Sequence, residues 1–166
     1  MEEYKENNIN IRKMSKEECD NYIKNNYLIK EKIGEGLHGS TYNICIKDNC
    51  EYVIKIQKTT IGNFFETEVK ALNDLKRTGI TPKIYDAWTC DGDGYFIMEK
   101  LYPCSLSNSE LFYKGIELLK LLESYGWLHM DTHKNNFLCD KENNLKIIDL
   151  GLAIKKIKFQ YLYPFI

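Results

Sequence analysis

The stretch His129-Met130-Asp131-Thr132-His133-Lys134-Asn135-Asn136 indicates the fold of this sequence more directly than any other segment. It follows an apolar helical pattern and precedes a short strand pattern, which predicts a loop held between two rigid elements, a common location for functional residues. The carboxylate of Asp131 is suited to accept or orient a hydroxyl proton, and the amide oxygen of Asn136 is suited to bind magnesium. The stretch therefore predicts a catalytic loop.

A second carboxylate, Asp149, directly follows the apolar strand pattern of residues 145–148. A charge at the end of a buried strand is unfavourable unless a cation or a donor partners it, and magnesium bound by Asp149 and Asn136 would be such a partner. His129 and His133 are four residues apart and suggest a transition-metal site, but that spacing aligns ligands only on a helix. We therefore interpret His129 as a buried histidine that braces the loop through hydrogen bonds.

Upstream, Gly34-Glu35-Gly36-Leu37-His38-Gly39 matches the pattern G-x-G-x-x-G. Dinucleotide-binding loops share this pattern, but there it opens a helix, whereas here the glycines lie between two strand-like runs. A glycine-rich hairpin allows backbone N–H groups to approach phosphates without obstruction by Cβ atoms. The alternative is an ordinary flexible hairpin.

A charged residue, Lys55, lies within the apolar strand pattern Val53-Ile54-Lys55-Ile56. Such a lysine is often a surface residue whose stem lies along apolar neighbours. A carboxylate on the helix predicted at residues 63–77 would instead fix it, with Glu68 as the best candidate and Glu66 as the second. The pair would direct the ammonium group towards nucleotide phosphates.

Taken together, these motifs resemble the eukaryotic-type protein-kinase superfamily over about residues 27–151. The resemblance implies a two-lobed α+β fold that binds ATP and magnesium. It implies that Asp131 positions the acceptor hydroxyl, that Lys55 held by Glu68 contacts the phosphates, and that Asn136 and Asp149 hold magnesium. It also assigns the nucleotide site to the glycine loop, Thr41 and the strand-to-hinge segment that receives adenine, namely Gly34, Gly36, Gly39, Thr41, Lys55, Met98 as gatekeeper, Glu99 and Leu101.

The sequence departs from that family at several positions. His133 stands where most protein kinases have a lysine, two residues after Asp131. A histidine at this position resembles small-molecule kinases of the aminoglycoside or choline type. Because an imidazole could still contact the γ-phosphate, we include His133 among the catalytic residues. Thr41 replaces the valine that packs on adenine, and Leu150 replaces the phenylalanine after the metal-binding aspartate. Because residues 152–166 contain neither an A-P-E motif nor an ordinary activation segment, we expect a reduced helical second lobe, as in small atypical or viral reduced kinases.

The remaining patterns predict an N-terminal extension with a short helix over residues 1–26, a first lobe over 27–98 and a hinge with a reduced second lobe over 99–166. Residues 1–14 are expected to be flexible, and the pairs Ser15/Glu18 and Ser107/Glu110 predict capped helix starts. The first lobe is predicted to hold five strands with one inserted helix, including a turn at Asp48-Asn49. Hairpins are predicted around residues 91–94 and 140–144, and Gly126 is expected to end the second long helix.

Composition narrows the choice of partners. The formal net charge is −1, so no overall basic field exists to attract nucleic acid or a membrane surface, and no apolar run approaches a membrane span. The N-terminus is acidic and polar, so we do not expect it to be a secretion signal. The six cysteines form no C-x-x-C pair and predict reduced thiols of an intracellular protein, with a Cys45 to Cys50 disulfide as the alternative.

Three functions are compatible with these residues. The first is a serine/threonine protein kinase that receives its protein substrate by docking. The second is a small-molecule hydroxyl kinase, which His133 favours. The third is a regulatory module that binds a partner protein. The apolar tail of residues 159–166 suggests it, because such a tail can pack on a partner protein or on a second copy in a homodimer. The alternative is that the tail covers apolar surface of its own chain.

Overall fold

The structure, a computed structural model, describes residues 8–36 and 39–156. This part of the chain forms an α+β fold with one six-stranded sheet, two small two-stranded sheets and three α-helices. The strands are Arg12–Lys13 (β1), Leu28–Glu35 (β2), Gly39–Ile46 (β3), Asn49–Lys58 (β4), Ile84–Cys90 (β5), Asp93–Glu99 (β6), Trp127–Leu128 (β7), Phe137–Cys139 (β8), Leu145–Ile147 (β9) and Ile154–Lys155 (β10). The helices are Lys16–Asn26 (α1), Phe64–Leu75 (α2) and Asn108–Ser124 (α3), and a 3₁₀ turn covers Lys134–Asn136.

The large sheet has the strand order β1-β5-β6-β4-β3-β2. Its neighbours from β5 to β2 pair antiparallel, whereas β1 pairs parallel with β5. The prediction of five strands with a flexible N-terminal segment was therefore incomplete, because Arg12 and Lys13 add a sixth strand. Two residues are too few to show an alternating pattern, and this strand forms only because the edge of β5 offers its backbone groups.

Helices cover both faces of this sheet. The capping box predicted for α1 is present: the Ser15 hydroxyl accepts from the Glu18 N–H at 3.1 Å, and Glu18 accepts from the Ser15 N–H at 3.4 Å. α1 packs Cys19 against a cluster that includes Ile54 of β4 and Trp88 of β5. α2 packs on the opposite face. Because side chains alternate along a strand, Lys55 points away from Ile54, to the face that α2 covers.

Close packing between α2 and the sheet depends on Gly94 of β6. A Cβ atom at this position would overlap the ring of Phe65, which is buried on α2. We expect Gly94→Ala to lower the free energy of unfolding by about 1–3 kcal/mol, because a rigid ring has to move to admit the methyl group. Urea unfolding followed by circular dichroism measures the change. Gly36→Ala is the matched control, since a Cβ there meets nothing within 4 Å; equal losses in both variants would contradict this account of Gly94.

The rest of the described chain, after β6, contains the helix α3 and the short strands β7 to β10. The Ser107 hydroxyl accepts from the Glu110 N–H at 3.2 Å at the start of α3, and after its last residue Gly126 adopts a φ of 92°, the role predicted for this glycine. β8 and β9 form the predicted hairpin. The pair of β7 with β10 was not predicted, because two strands of two residues each carry no recognisable pattern. The turn predicted at Asp48-Asn49 lies one residue earlier, since β4 already begins at Asn49.

All six cysteines lie in the described residues, and all are paired, as Cys19–Cys90, Cys45–Cys50 and Cys104–Cys139. The prediction of reduced thiols was therefore wrong. Two of the pairs join cysteines 71 and 35 residues apart, which approach only because α1 packs on β5 and because the segment after β6 runs beside β8. The cysteines therefore do not favour an intracellular compartment.

Of the three described helices, none has the length and apolar character needed to cross a lipid bilayer. The predicted apolar tail, residues 159–166, lies outside the described residues.

Candidate active site

A cleft of about 780 Å³ separates the glycine-rich hairpin and β4 from the loops that follow α3. It brings together nearly all of the residues that the sequence singled out, although they come from distant parts of the chain. The predicted residues that line it are Gly34, Gly36, Gly39, Thr41, Lys55, Met98, Glu99, Leu101, Asp131, His133, Asn136 and Asp149. The remaining one, Glu68, is buried behind Lys55.

The roof of the cleft is the hairpin between β2 and β3. Its tip, Leu37 and His38, lies outside the described residues, and the flanking Gly36 N–H donates to the Gly39 carbonyl at 2.8 Å. A Cβ atom on Gly39 would overlap the Ile56 carbonyl oxygen and come within 3.0 Å of Gln57. Glycine at this position therefore allows the hairpin to lie directly on β4, above Lys55.

At the centre of the cleft, the Lys55 ammonium lies between two carboxylates. Its Nζ is 2.6 Å from Oε1 of Glu68, 3.2 Å from Oε2 of the same residue and 2.8 Å from Oδ1 of Asp149. Glu68 is buried on α2, whereas the runner-up candidate Glu66 is exposed on the same helix. The structure thus confirms the predicted partner of Lys55 and adds a second one.

The carboxylate of Glu68 receives two further donors. Its Oε2 accepts from the Leu150 backbone N–H at 2.8 Å, and its Oε1 accepts from the Gln57 side-chain amide at 3.0 Å. The first bond ties α2 to the residue after Asp149, so it sets the position of Asp149 relative to Lys55. A buried carboxylate is tolerated here because every described contact to it comes from a donor.

The pKa of the Lys55 ammonium is raised above its ordinary value. Burial on its own would lower the pKa, but the attraction of Glu68 and then of Asp149, with hydrogen bonds to both, outweighs that effect. The lysine therefore stays fully charged at neutral pH, as a group that binds phosphate requires.

On the other side of the cleft, His129 braces the loop that carries Asp131. The histidine is 4% exposed, its Nδ1 accepts from the Asp131 N–H at 3.2 Å, and its Nε2 lies 2.8 Å from the Ile148 carbonyl. Because Nδ1 is the acceptor, Nε2 carries the hydrogen atom and donates a hydrogen bond to the Ile148 carbonyl oxygen. Both ring nitrogens are thus used within the protein, the bracing role predicted for this residue, and neither is left for a transition metal.

Asn136 connects the Asp131 loop to Asp149. Its amide nitrogen donates to the Asp131 carbonyl at 2.6 Å and lies 3.2 Å from His133 Nε2. Its backbone carbonyl accepts from the Ile148 N–H at 2.9 Å, which brings Asp149, the next residue, alongside. All contacts that the structure describes for this side chain use its nitrogen, so the carbonyl oxygen Oδ1 is available as a ligand.

The two acidic groups that face this space are partly exposed. The side chain of Asp131 is 45% exposed, that of Asp149 is 48% exposed, and His133 Nε2 lies 3.7 Å from the Asp131 carboxylate. Asp149 holds a φ of 58°, a strained backbone conformation of the kind that occurs at functional sites. Carboxylate and amide oxygens of this type are the ligands that magnesium prefers, so Asp149 and Asn136 fit that ion.

The far end of the cleft is formed by the chain that leaves β6. Met98 pairs with Val53 across the sheet, and the Glu99 N–H donates to the Lys83 carbonyl at 2.8 Å. The N–H groups of Lys100 and Tyr102 are also engaged, whereas that of Leu101 has no backbone acceptor among the described residues. Among the described residues, the Leu101 N–H therefore has no backbone acceptor and could donate to a ligand.

Two contacts to the Glu68 carboxylate were not predicted from the sequence. The donor from Leu150 is a backbone group, and no sequence pattern reports it. Gln57 could have been noticed, because it lies two residues after Lys55 in the same strand and therefore on the same face, at a position where an apolar residue would be expected.

Comparisons with known proteins agree with this geometry. The family described as "Protein kinase domain" matches residues 27–161. The serine/threonine-protein kinases MAK of Rattus norvegicus and Homo sapiens are each 27% identical over an alignment of 148 positions, which covers 78% of this chain and 24% and 23% of those proteins, respectively. The L-type lectin-domain containing receptor kinase IX.2 of Arabidopsis thaliana is 26% identical over an alignment of 153 positions, which covers 78% of this chain and 22% of that protein. The chain thus spans about a quarter of the length of these curated relatives.

Proposed function

This chain belongs to the protein kinase domain family, and from that membership we propose that it transfers the γ-phosphoryl group of ATP to a serine or threonine hydroxyl of a protein, with magnesium as cofactor. The observation that carries the proposal is the placement of Lys55 between Glu68 and Asp149, in one cleft with Asp131 and Asn136. The choice of serine or threonine rests on the names of the MAK relatives.

In the proposed reaction, Asp131 orients the acceptor hydroxyl and accepts its proton. The hydroxyl oxygen forms a bond to the γ-phosphorus, the bond from that phosphorus to the bridging oxygen breaks, and ADP leaves. Asn136 donates a hydrogen bond to the Asp131 carbonyl, and the Asp131 N–H donates one to His129, so the backbone of Asp131 is held in place before the substrate arrives.

Groups on both sides of the cleft would stabilise the negative charge of the phosphates. Lys55, kept charged and in place by Glu68, faces the phosphates beneath the hairpin of Gly34, Gly36 and Gly39. Asn136 and Asp149 would hold magnesium, which when bound neutralises charge on the phosphate oxygens. Catalysis then consists mainly of positioning and of electrostatic stabilisation.

Adenine would occupy the far end of the cleft. The unpaired Leu101 N–H supports this placement, because a purine ring presents acceptor nitrogens at its edge. Met98, Glu99 and Thr41 also line the cleft. If the chain divides into lobes at residues 27–98 and 99–166, as the sequence predicts, the nucleotide would lie between them.

The direct test is transfer of labelled γ-phosphate from ATP with magnesium to the protein itself and to generic protein acceptors. Transfer by the wild type that disappears in Asp131→Ala supports the proposal. Absence of transfer to any protein acceptor, under conditions in which ATP binds, would contradict it.

Magnesium and nucleotide binding can be tested without catalysis. At about 100 times Kd, Mg-ATP is expected to stabilise the wild type by about 2.7 kcal/mol, which corresponds to a rise in Tm of about 5–10 °C. We expect Asp149→Asn, or removal of the divalent ion with a chelator, to abolish most of that rise, because a magnesium ligand is lost. Asparagine tolerates the φ of 58° at this position, so the backbone should be kept. An undiminished rise in the variant would exclude Asp149 as a ligand.

A second candidate function is phosphorylation of a small-molecule hydroxyl. The observation that favours it is His133, half exposed in the cleft beside Asp131, where an imidazole can contact either a phosphate or a small acceptor. A screen of sugars, choline and aminoglycosides separates the two functions, since turnover with one of these and none with proteins would replace the first proposal. ATP binding without any transfer would indicate the third function, a nucleotide-binding regulatory module.

A further inference from the structure

The buried Gln57 on β4 donates a hydrogen bond to the Glu68 carboxylate, in addition to the two that Lys55 donates. Gln57 is 4% exposed and lies on the same face of β4 as Lys55. Its strand partners are both glycines, Gly39 on β3 and Gly94 on β6. Gly39 leaves room for the Gln57 side chain, because a Cβ atom on Gly39 would lie 3.0 Å from the Gln57 Cγ.

The orientation of the Gln57 amide follows from its partner. A carboxylate can only accept hydrogen bonds, so the amide nitrogen faces Glu68, and Nε2 lies 3.0 Å from Oε1. The same oxygen accepts from Lys55 at 2.6 Å. Two donors thus converge on one carboxylate oxygen, and they hold the carboxylate against rotation about its terminal bond.

Packing alone does not account for an amide at this position. The carbonyl oxygen of Gln57 is buried and has no donor among the described residues. Burying an unpaired polar atom costs about 1–3 kcal/mol, whereas an apolar side chain of similar length would fill the same space without that cost. The bond to Glu68 is the only described contact that uses the polarity of this side chain.

We propose that Gln57 is a positioning residue for phosphate transfer, which holds the Glu68 carboxylate so that Lys55 stays directed at the phosphates of ATP. The proposal rests on the proposed kinase function and deepens it. Gln57 acts through Glu68, so removing it should have an effect only while the carboxylate is present.

The first test is a double-mutant cycle in phosphate transfer. Gln57→Met keeps the length of the side chain and removes the amide, and it is expected to lower kcat/KM by about tenfold, the effect of one charge-assisted hydrogen bond. In a Glu68→Gln background the same substitution should change kcat/KM by less than about twofold, because its target is gone. Equal losses in both backgrounds, or no loss in either, would overturn the proposal.

The second test does not depend on catalysis. Acetylation of Lys55 by an N-hydroxysuccinimide ester, followed by mass spectrometry, reports how firmly the ammonium is held. We expect Gln57→Met to raise the labelling rate by about threefold or more, since a less restrained Glu68 releases the lysine more often. Thr81→Val is the matched control, because Thr81 is another buried residue with an unpaired polar atom and does not line the cleft; it should label like the wild type.

The two tests separate the two proposals. If the wild type transfers no phosphate, the kinase proposal fails, while the labelling of Lys55 still decides the role of Gln57. Unchanged labelling in a folded Gln57→Met protein would show that the side chain only fills space. Gln57→Leu is the second variant, and failure of both proteins to fold would also overturn the proposal, since the side chain would then serve the core.

Discussion

Replacing Asp131 by asparagine is expected to lower the rate of phosphate transfer by at least about a hundredfold while the fold is kept. Asparagine has nearly the same shape but cannot accept the proton of the acceptor hydroxyl. Stability should change little, because the side chain is 45% exposed and the loop is held by the Asp131 backbone, through His129 and Asn136. Initial rates with saturating Mg-ATP and thermal unfolding measure the two effects.

A matched control for this substitution is Asp91→Asn. Asp91 is an exposed aspartate in the turn between β5 and β6, and its φ of 50° suits asparagine equally well. Its transfer rate should equal that of the wild type. A similar loss in both variants, or a normal rate in Asp131→Asn, would remove Asp131 from the reaction.

Replacing Glu68 by alanine is expected to reduce both activity and stability. Lys55, Gln57 and the Leu150 N–H would all lose their shared acceptor in a buried environment. Breaking a buried ion pair from one side costs about 3–5 kcal/mol in the free energy of unfolding. Because Glu68 would no longer hold Lys55 and Asp149 in position relative to each other, we also expect kcat/KM to fall by about a hundredfold.

The control lies on the same helix. Glu66→Ala removes an exposed carboxylate two residues earlier on α2 and should change the free energy of unfolding by less than about 0.5 kcal/mol. Denaturant unfolding and steady-state kinetics on the two variants give the comparison. If Glu66→Ala proved as harmful as Glu68→Ala, the effect would come from the helix as a whole and not from the ion pair.

The Lys55 pair also has a defined dependence on pH. The pKa of the Lys55 ammonium is raised in the folded protein, so the contribution of the ion pair to stability is complete below the ordinary lysine pKa of about 10.4. The contribution is lost only as the pH rises through the still higher value of the folded state. The difference in stability between wild type and Glu68→Ala should therefore stay constant from neutral pH to about pH 10.

The residues of the proposed active site could be singled out from the sequence because their signals are local. A glycine cluster between strands, a lysine within an apolar strand and an aspartate directly after one are each visible within a few residues, as are the Ser15 and Ser107 helix starts. The preference for Glu68 over Glu66 agrees with their exposure on α2, where Glu68 is buried and Glu66 is exposed. Their order along the chain then indicated the family.

Other features depend on contacts between distant parts of the chain, and no local pattern reports them. The Leu150 N–H meets Glu68 across 82 residues, and Cys19 meets Cys90 across 71. The strands β1, β7 and β10 have two residues each and exist only because a neighbouring edge pairs with them. The sequence by itself determined which groups are proposed to bind phosphate and to move a proton, since motifs and periodicity are local features. Only the tertiary structure decided that Gln57, Lys55 and Leu150 converge on one buried carboxylate, because the packing of α2 on the sheet sets those distances.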